Sequence, residues 1–447
     1  PEYIAANTRA KGVFHTSFRQ SLIYAAIRPV LAFGAMSDKP LILHNATLID
    51  GNGGDPRPGT SVEISGAKIN RIFPAADLPS RADAAVIDLG GCHLLPGLTD
   101  AHVHFALTEP NGAPTQPWAA WAAKVTAFIG ETLDQGFTTV RDAGALDPGW
   151  TYAIDRGLIR GPSLLTSGSF ISMTGGHGDW RAPHQSEDPV QPIAGLFAGY
   201  VLADGADAVS RATREELRRG ATQIKVMASG GVASPSDPID GIQFTLDELR
   251  AAVEESEARG TYVLAHAYHP KSIKRCLEAG VRSIEHGNLL DEETAIEMAR
   301  AGAFLVPTLI TYDILAAAGE TLGFSNYQVQ KLNQVHKAGE EAVRIARAAW
   351  VKIASGSDLL GHAMSLKARE LVIKSRILSP MEAIVSATRT NAELFGLSGE
   401  IGTVEEGKNA DITVFDRDPL ADPEVMANAA RVRLVVKDGV VVKDVGR

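Results

Sequence analysis

The chain has 447 residues, 45% of them hydrophobic and 21% charged, enough apolar material for a folded core and far from the composition of a disordered chain. Its 43 Lys plus Arg against 53 Asp plus Glu leave a net charge of -10, which argues against general affinity for nucleic acid or an anionic membrane. Cys92 and Cys276 alone suggest no disulfide framework, and no run reaches the roughly 18 apolar residues of a membrane span.

Residues 1–36 carry Arg9, Lys11 and Arg19 before a short apolar run, Leu22 to Ile27, which Arg28 and Pro29 end. This reads as a flexible leader rather than a signal peptide, with Met36 as a natural start. A cytoplasmic location is expected, a periplasmic or secreted one being the alternative. From Leu41 to Asp88 come strand-like segments broken by Gly, Pro and Asp: LILHNATLID, SVEISGAKINRIF and AAVIDL. Ala410 to Asp416 and RLVVKDGVVVKD repeat that style, and Asp438-Gly439 marks a tight hairpin. Residues 37–93 and 400–447 are therefore expected to form one small β-sandwich domain beside a catalytic unit, 94–399.

Within 94–399 the pattern changes to eight short apolar runs, each followed by a helical stretch: HLLPGLTDAHVHF, TTVRDAG, PSLLTSGS, QIKVMASGG, YVLAHAY, RSIEHGN, FLVPTLI and KIASGSD. Thr245 to Arg259 and Asp291 to Ala301 show helical spacing, with Gly260 and Gly302 as stops. Parallel neighbours need crossover helices, so this alternation predicts an α/β fold, a (β/α)8 TIM-type barrel.

His102 and His104 end the first of these strands, Lys225 lies in the fourth, His266 in the fifth, His286 in the sixth, and Asp358 closes the eighth. In such a barrel the strand carboxyl ends face one mouth, which would bring the six together. Singly each has a plainer reading: a surface His pair, a hydrogen-bonded core His, a lysine reaching solvent, a helix-capping Asp. Together they suggest a site for two divalent cations, zinc first, because imidazole and carboxylate suit that metal. An ammonium beside two cations is disfavoured by repulsion and desolvation. A neutral Lys225 amine can instead add carbon dioxide, and the resulting carbamate could bridge ions about 3.5–4 Å apart.

Asp100 is expected to orient a ligand imidazole from behind, or equally to serve as a helix or turn residue. His177, in a Gly-rich loop after the third strand, is expected to contact a substrate carbonyl or carboxylate, with a role in the loop's own structure as the alternative. Tyr312 and His362 are further candidates for substrate contact, with packing and a helix start as their plainer roles. His269 reads as a helix start before Pro270 or as a competing ligand. Trp118 and Trp121 read as core, and His15, His44, His93, His184 and His336 as structural or exposed.

The Asp100-Ala-His102-Val-His104 strand after Pro96-Gly97, with Lys225, His266, His286 and Asp358, resembles the amidohydrolase superfamily. Thr138 to Gly144 (TTVRDAG), Thr174 to Trp180 (TGGHGDW), Lys225 to Gly231 (KVMASGG) and Ser283 to Asn288 (SIEHGN) are similar to its prolidase and ochratoxinase branch. The resemblance implies that one cation takes His102, His104 and Asp358, that a second takes His266 and His286, and that carbamylated Lys225 bridges them. It implies a homo-oligomer acting on a small-molecule amide next to a carboxylate: an N-acyl amino acid, a dipeptide, or ochratoxin A cleaved to ochratoxin alpha and phenylalanine. Asp358 would serve as general base and then acid toward a metal-activated water. The rivals are an imidazolonepropionase-like hydrolase of cyclic amides and a non-enzymatic scaffold; no ligand is missing, which disfavours the second.

Overall fold

A computed structural model describes residues 39–80, 83–109, 115–182, 184–235, 237–318 and 322–446. The expectations for residues 1–36, with His15 and Met36, lie outside them. The chain opens with β1 (Leu41–Leu48), β2 (Arg57–Ser65), β3 (Lys68–Pro74), β4 (Ala85–Asp88) and β5 (His93–Pro96). There follow β6 (Leu98–Val103), β7 (Phe137–Asp142), β8 (Ala145–Leu146), β9 (Ser163–Thr166), β10 (Phe170–Ser172) and β11 (Phe197–Leu202). Next come β12 (Ile224–Met227), β13 (Val263–Ala267), β14 (Ser283–His286), β15 (Phe304–Val306) and β16 (Lys352–Ile353). The last strands are β17 (Ile412–Phe415), β18 (Val432–Lys437) and β19 (Val440–Asp444).

One sheet takes strands from both ends of this series, in the order β19-β18-β17-β5-β1-β2-β3, with β4 on β1. The two groups meet where β17 runs antiparallel to β5, Ile412 opposite Pro96 and Phe415 opposite His93. Apolar residues from both sides, among them Leu43, Leu48, Val62, Leu94, Ile412 and Val436, share one buried cluster, which is what holds the distant segments together. A single residue, Gly97, separates β5 from β6. A Cβ there would come within 2.1 Å of the Thr138 hydroxyl, so only glycine lets the chain pass β7 at that point.

The other strands form an eight-stranded sheet, β16-β15-β14-β13-β12-β10-β11-β8, and a three-stranded one, β6-β7-β9. Pairing is parallel throughout except between β11 and β8. The fold is thus mixed α/β with parallel sheets, and among the described residues the strands hydrogen-bond in two sheets rather than in one closed ladder. The seams between them are too short to form ladders. At one, Ala101 N–H donates to Ser355 O and Asp358 N–H to His102 O, each at 2.7 Å; at the other, Thr222 N–H donates to Thr166 O at 2.8 Å. β16 is two residues long, and the backbone turns left-handed at Asp358 (φ 52°), which limits the first seam to isolated bonds. All eight expected runs contain strands. The third is longer than expected, breaking at Gly168 (φ 67°) and resuming as β10, the strand that pairs with β12.

Crossover helices follow the expected punctuation. The helix Leu246–Glu257 starts in a capping box between Thr245 and Glu248, and Glu292–Ala301 runs from the Asp291 cap to Gly302 (φ 67°). Their buried faces, with Leu249, Ala252, Ala295 and Met298, pack on Val226, Ala265 and Ile284 of the sheet. Each large side chain so buried contributes about 1.5–3 kcal/mol. No helix among the described residues is long and apolar enough to cross a membrane.

The β18–β19 hairpin turns through Asp438 (φ 49°) and Gly439 (φ 76°), the two positive angles of a type I′ turn. A Cβ at Gly439 would stand 1.9 Å from the carbonyl oxygen of Gly66. Gly439→Ala is expected to destabilise the protein by about 1–3 kcal/mol, read as a lower denaturant midpoint at unchanged slope.

Candidate metal centre

β6 carries His102 near its end and His104 just beyond it, two residues apart and therefore on one side of the strand. Their Nε2 atoms are 3.2 Å apart, and each lies 3.5 Å from Asp358 Oδ1. Ligands about 2.0–2.1 Å from a tetrahedral ion stand about 3.3–3.4 Å from one another, so these three atoms fit the edges of such a site. Lys225 Nζ lies 3.4 Å from His102 Nε2. The His286 ring centroid is 5.2 Å from that of His102 and 4.6 Å from that of His266. All six expected residues therefore occupy one cluster.

Backbone geometry at the strand ends aims these groups. His286 (φ 73°) and Asp358 (φ 52°) both adopt the left-handed conformation that side chains other than glycine's avoid. Such strain persists where surrounding bonds over-determine it. Asp100 supplies some of those bonds. Its Oδ1 accepts from the backbone N–H of His102 (3.1 Å) and of Ser357 (3.0 Å), and its Oδ2 from the Ser357 hydroxyl (2.6 Å). Of the two roles expected of Asp100, these bonds are those of a turn residue, and no imidazole is among its partners. Asp100 satisfies backbone donors at the bend and ties β6 to the segment that presents Asp358.

The imidazoles are oriented by other oxygens. His102 Nδ1–H donates to Glu285 Oε2 (2.6 Å), and His104 Nδ1–H to Gly144 O (3.0 Å). His266 Nε2–H donates to Gly230 O (3.2 Å), while His286 Nδ1 lies 2.8 Å from Thr308 Oγ1. One nitrogen of each ring is held from behind and the other is left as a lone-pair donor, the arrangement usual behind metal-bound histidines. Glu285 is itself gripped by Arg141, whose Nη2 reaches both carboxylate oxygens at 2.9 and 3.0 Å and whose Nε donates to Ala101 O. Both side chains are fully buried.

Burial sets the protonation of the cluster. Desolvation lowers the pKa of His104 to about 3, with Lys225 adding to the shift, and holds His102, His266 and His286 well below the ordinary value. The same cost pulls the Lys225 amine down to about 8, against Glu285 and Asp358, which favour its charge. It pushes Asp358 up to about 7, with Lys225 opposing. The cluster thus offers neutral imidazoles, an amine that loses its proton easily and a carboxylate able to hold one near neutrality, a donor set suited to cations and to proton transfer.

The half-buried His177 ring stacks on His266 at 4.3 Å, with Nδ1 2.7 Å from Ser234 Oγ; burial lowers its pKa to about 4. Tyr312 is buried and donates its hydroxyl proton to Tyr268 (2.8 Å), whose ring lies 5.3 Å from that of His286, so it supports the site from behind. His362 is exposed, with its edge on Phe128. His269 caps the helix Pro270–Ala279 by accepting from Lys271 N–H. Trp121 is buried, its indole N–H on Ala106 O, and half-buried Trp118 packs against it. His44, His93 and His336 pair with Ser61, Asp418 and Asp313, and His184 is exposed. Sequence reasoning missed Glu285, Arg141, Thr308 and Tyr268. For the first two a signal was present, a charged residue inside an apolar strand, since such residues are rarely buried without a partner.

Residues 93–442 match the amidohydrolase family. The ochratoxinase of Aspergillus niger is 31% identical over 437 residues, 94% of this chain and 90% of that protein. A crystal structure of an amidohydrolase superposes with a TM-score of 0.86 at 41% identity, covering 91% of this chain and 99% of that one. A prolidase complexed with N-methylphosphonate-L-proline gives 0.85 at 40% identity, covering 91% and 100%.

Removing the carboxylate of Glu285 leaves the buried Arg141 cation uncompensated and the His102 ring unheld. Glu285→Ala is expected to cost about 3–5 kcal/mol of stability and, in the folded fraction, roughly ten- to a hundredfold in metal affinity. Denaturant titration and competition with a chromogenic chelator measure the two effects separately.

Proposed function

We propose, because the chain belongs to the amidohydrolase family of hydrolases acting on amide bonds, that it cleaves an amide next to a carboxylate with the help of two divalent cations. The observation that carries this reading is the triangle of His102, His104 and Asp358 donor atoms, with edges of 3.2–3.5 Å. In this proposal those residues would hold one cation, His266 and His286 would hold the second, and Lys225, once carbamylated, would supply a further carboxylate-like donor. Zinc fits the donors best, being matched to neutral imidazoles and carboxylates at short distance. The two parallel sheets would act as one (β/α)8 barrel, residues 94–399, beside a small β domain of residues 37–93 and 400–447. The backbone bonds at both seams support that grouping.

When bound, the cations supply Lewis acidity toward the amide carbonyl and lower the pKa of water toward about 7. Asp358, its side chain 21% exposed and its pKa raised to about 7, takes the proton of the attacking water and returns it to the leaving amine. His177, stacked on His266, holds the substrate carbonyl oxygen. The relatives' names, ochratoxinase and prolidase, suggest the substrate class: ochratoxin A, an N-acyl amino acid or a dipeptide.

Metal-stripped protein given zinc is expected to regain two ions per chain only with bicarbonate. Uptake should be faster above pH 8 than well below it, because carbon dioxide adds to the neutral amine, whose share grows as pH rises through about 8. Full metal loading with an unmodified Lys225, seen by intact-protein mass spectrometry and elemental analysis, is the result that sinks the carbamate. Asp358→Asn should lower kcat by roughly 10²–10⁴. Initial rates on ochratoxin A, N-acyl amino acids, dipeptides and cyclic amides should favour the first three; preference for cyclic amides would reassign the substrate.

A further inference from the structure

Residues 230–235 and 237–241, which follow β12, touch two rings of the centre. The Gly230 carbonyl accepts from His266 Nε2–H (3.2 Å), and Gly231 lies against His177, where an added Cβ would come within 2.0 Å of the imidazole. Asp237 Oδ2 accepts from Gln243 Nε2–H (2.9 Å), and Gln243 Oε1 accepts in turn from the backbone N–H of His177 (2.9 Å). The placement of His177 on His266, stacked at 4.3 Å, therefore depends on where this backbone lies.

The segment belongs to no helix or strand, so its order must come from outside. The helix Asn326–Ala348 supplies it. Gln328 closes the capping box of that helix with Ser325 through Oε1 and donates from Nε2 to Ala233 O (2.6 Å). Lys331 stands three residues further along, on the same face, and is 3% exposed. Its ammonium donates to the carbonyl oxygens of Gly231 (2.5 Å), Ser234 (2.7 Å) and Asp237 (3.0 Å), with the Asp237 carboxylate 3.7 Å away as counter-charge. An ammonium has three protons, so none is left for a substrate. Bonds from an ionised donor are about twice as strong as neutral ones, and an apolar side chain at this position would leave three buried carbonyls unpaired. Leu332 and Val335 of the same helix pack with Val232 and Ile239 of the segment, which closes the contact.

We propose that Lys331, assisted by Gln328, is a positioning residue for the reaction: its ammonium gathers carbonyls of residues 230–237 and so sets where His177 stands relative to His266. This rests on the reading of His177 as a substrate contact. A contact group misplaced by about 1 Å can cost roughly a hundredfold in rate, which is how a lysine on an outer helix acts on the chemistry without touching the substrate.

The test uses the zinc-loaded protein, with folding checked by circular dichroism. Lys331→Ala should lower kcat roughly ten- to a hundredfold, with KM little changed and metal content intact. Gln328→Ala, a milder change at a partly exposed residue, should lower kcat severalfold in the same way and decides the matter should Lys331→Ala not fold. Combining either change with His177→Ala should give a protein little worse than His177→Ala itself, because both steps break one interaction. Propylammonium, the fragment that Lys331→Ala removes, should restore turnover, and tetramethylammonium, which has the charge but no N–H, should not. Normal kcat in the Lys331 and Gln328 variants beside a crippled His177→Ala, or losses that multiply in the double variants, overturns the positioning proposal alone. Normal kcat in His177→Ala overturns the reading of His177 and the proposal with it.

Discussion

Desolvation is the constraint on which this molecule's centre depends. Five nitrogen-bearing side chains, His102, His104, Lys225, His266 and His286, are packed at 6% exposure or less against one another. Charged forms of so many basic groups could not share that space, and burial accordingly drives all five toward neutrality. A buried neutral donor still needs a partner, which is why each imidazole has an oxygen behind it. Polar groups arranged in this way cost stability while nothing sits among them, and the cost is offset where a cation does.

That constraint spreads outward through the strands. Holding His102 takes Glu285, holding Glu285 takes Arg141, and Arg141 in turn bonds the carbonyl of Ala101 beside His102 itself. The loop closes on β6 after visiting β14 and β7. Asp100 performs the corresponding service for the backbone, joining β6 to Ser357 where the two parallel sheets meet. The left-handed angles at His286 and Asp358 are thus held by bonds from several elements, none of which tolerates a shift of the others.

Much of this was legible in the sequence, because strand ends, alternation and helix caps are local signals. Thr245 with Glu248, Asp291 with Gly302, and the six polar residues on or shortly after the parallel strands each announce themselves within a few positions. What was not legible depends on pairing across distance. Arg141 and Glu285 look like isolated misfits until β7 and β14 are brought together. Asp100 sits two residues before His102, and only the chain's bend decides whether its carboxylate meets a ring or a backbone N–H. Of the two seams that divide the sheets, one lies beside β16, which is only two residues long, and the other between Thr166 and Thr222, while the barrel expectation rested on the count of strands and not on their lengths.

The pairing of β17 with β5 has a consequence for biosynthesis. Gly97 alone links β5 to β6, so the chain passes directly from a strand paired with β1 and β17 to the strand that bears His102. The end sheet gains its last three strands only after all the parallel strands are made, whereas β6 can pair with β7 and β5 with β1 well before then.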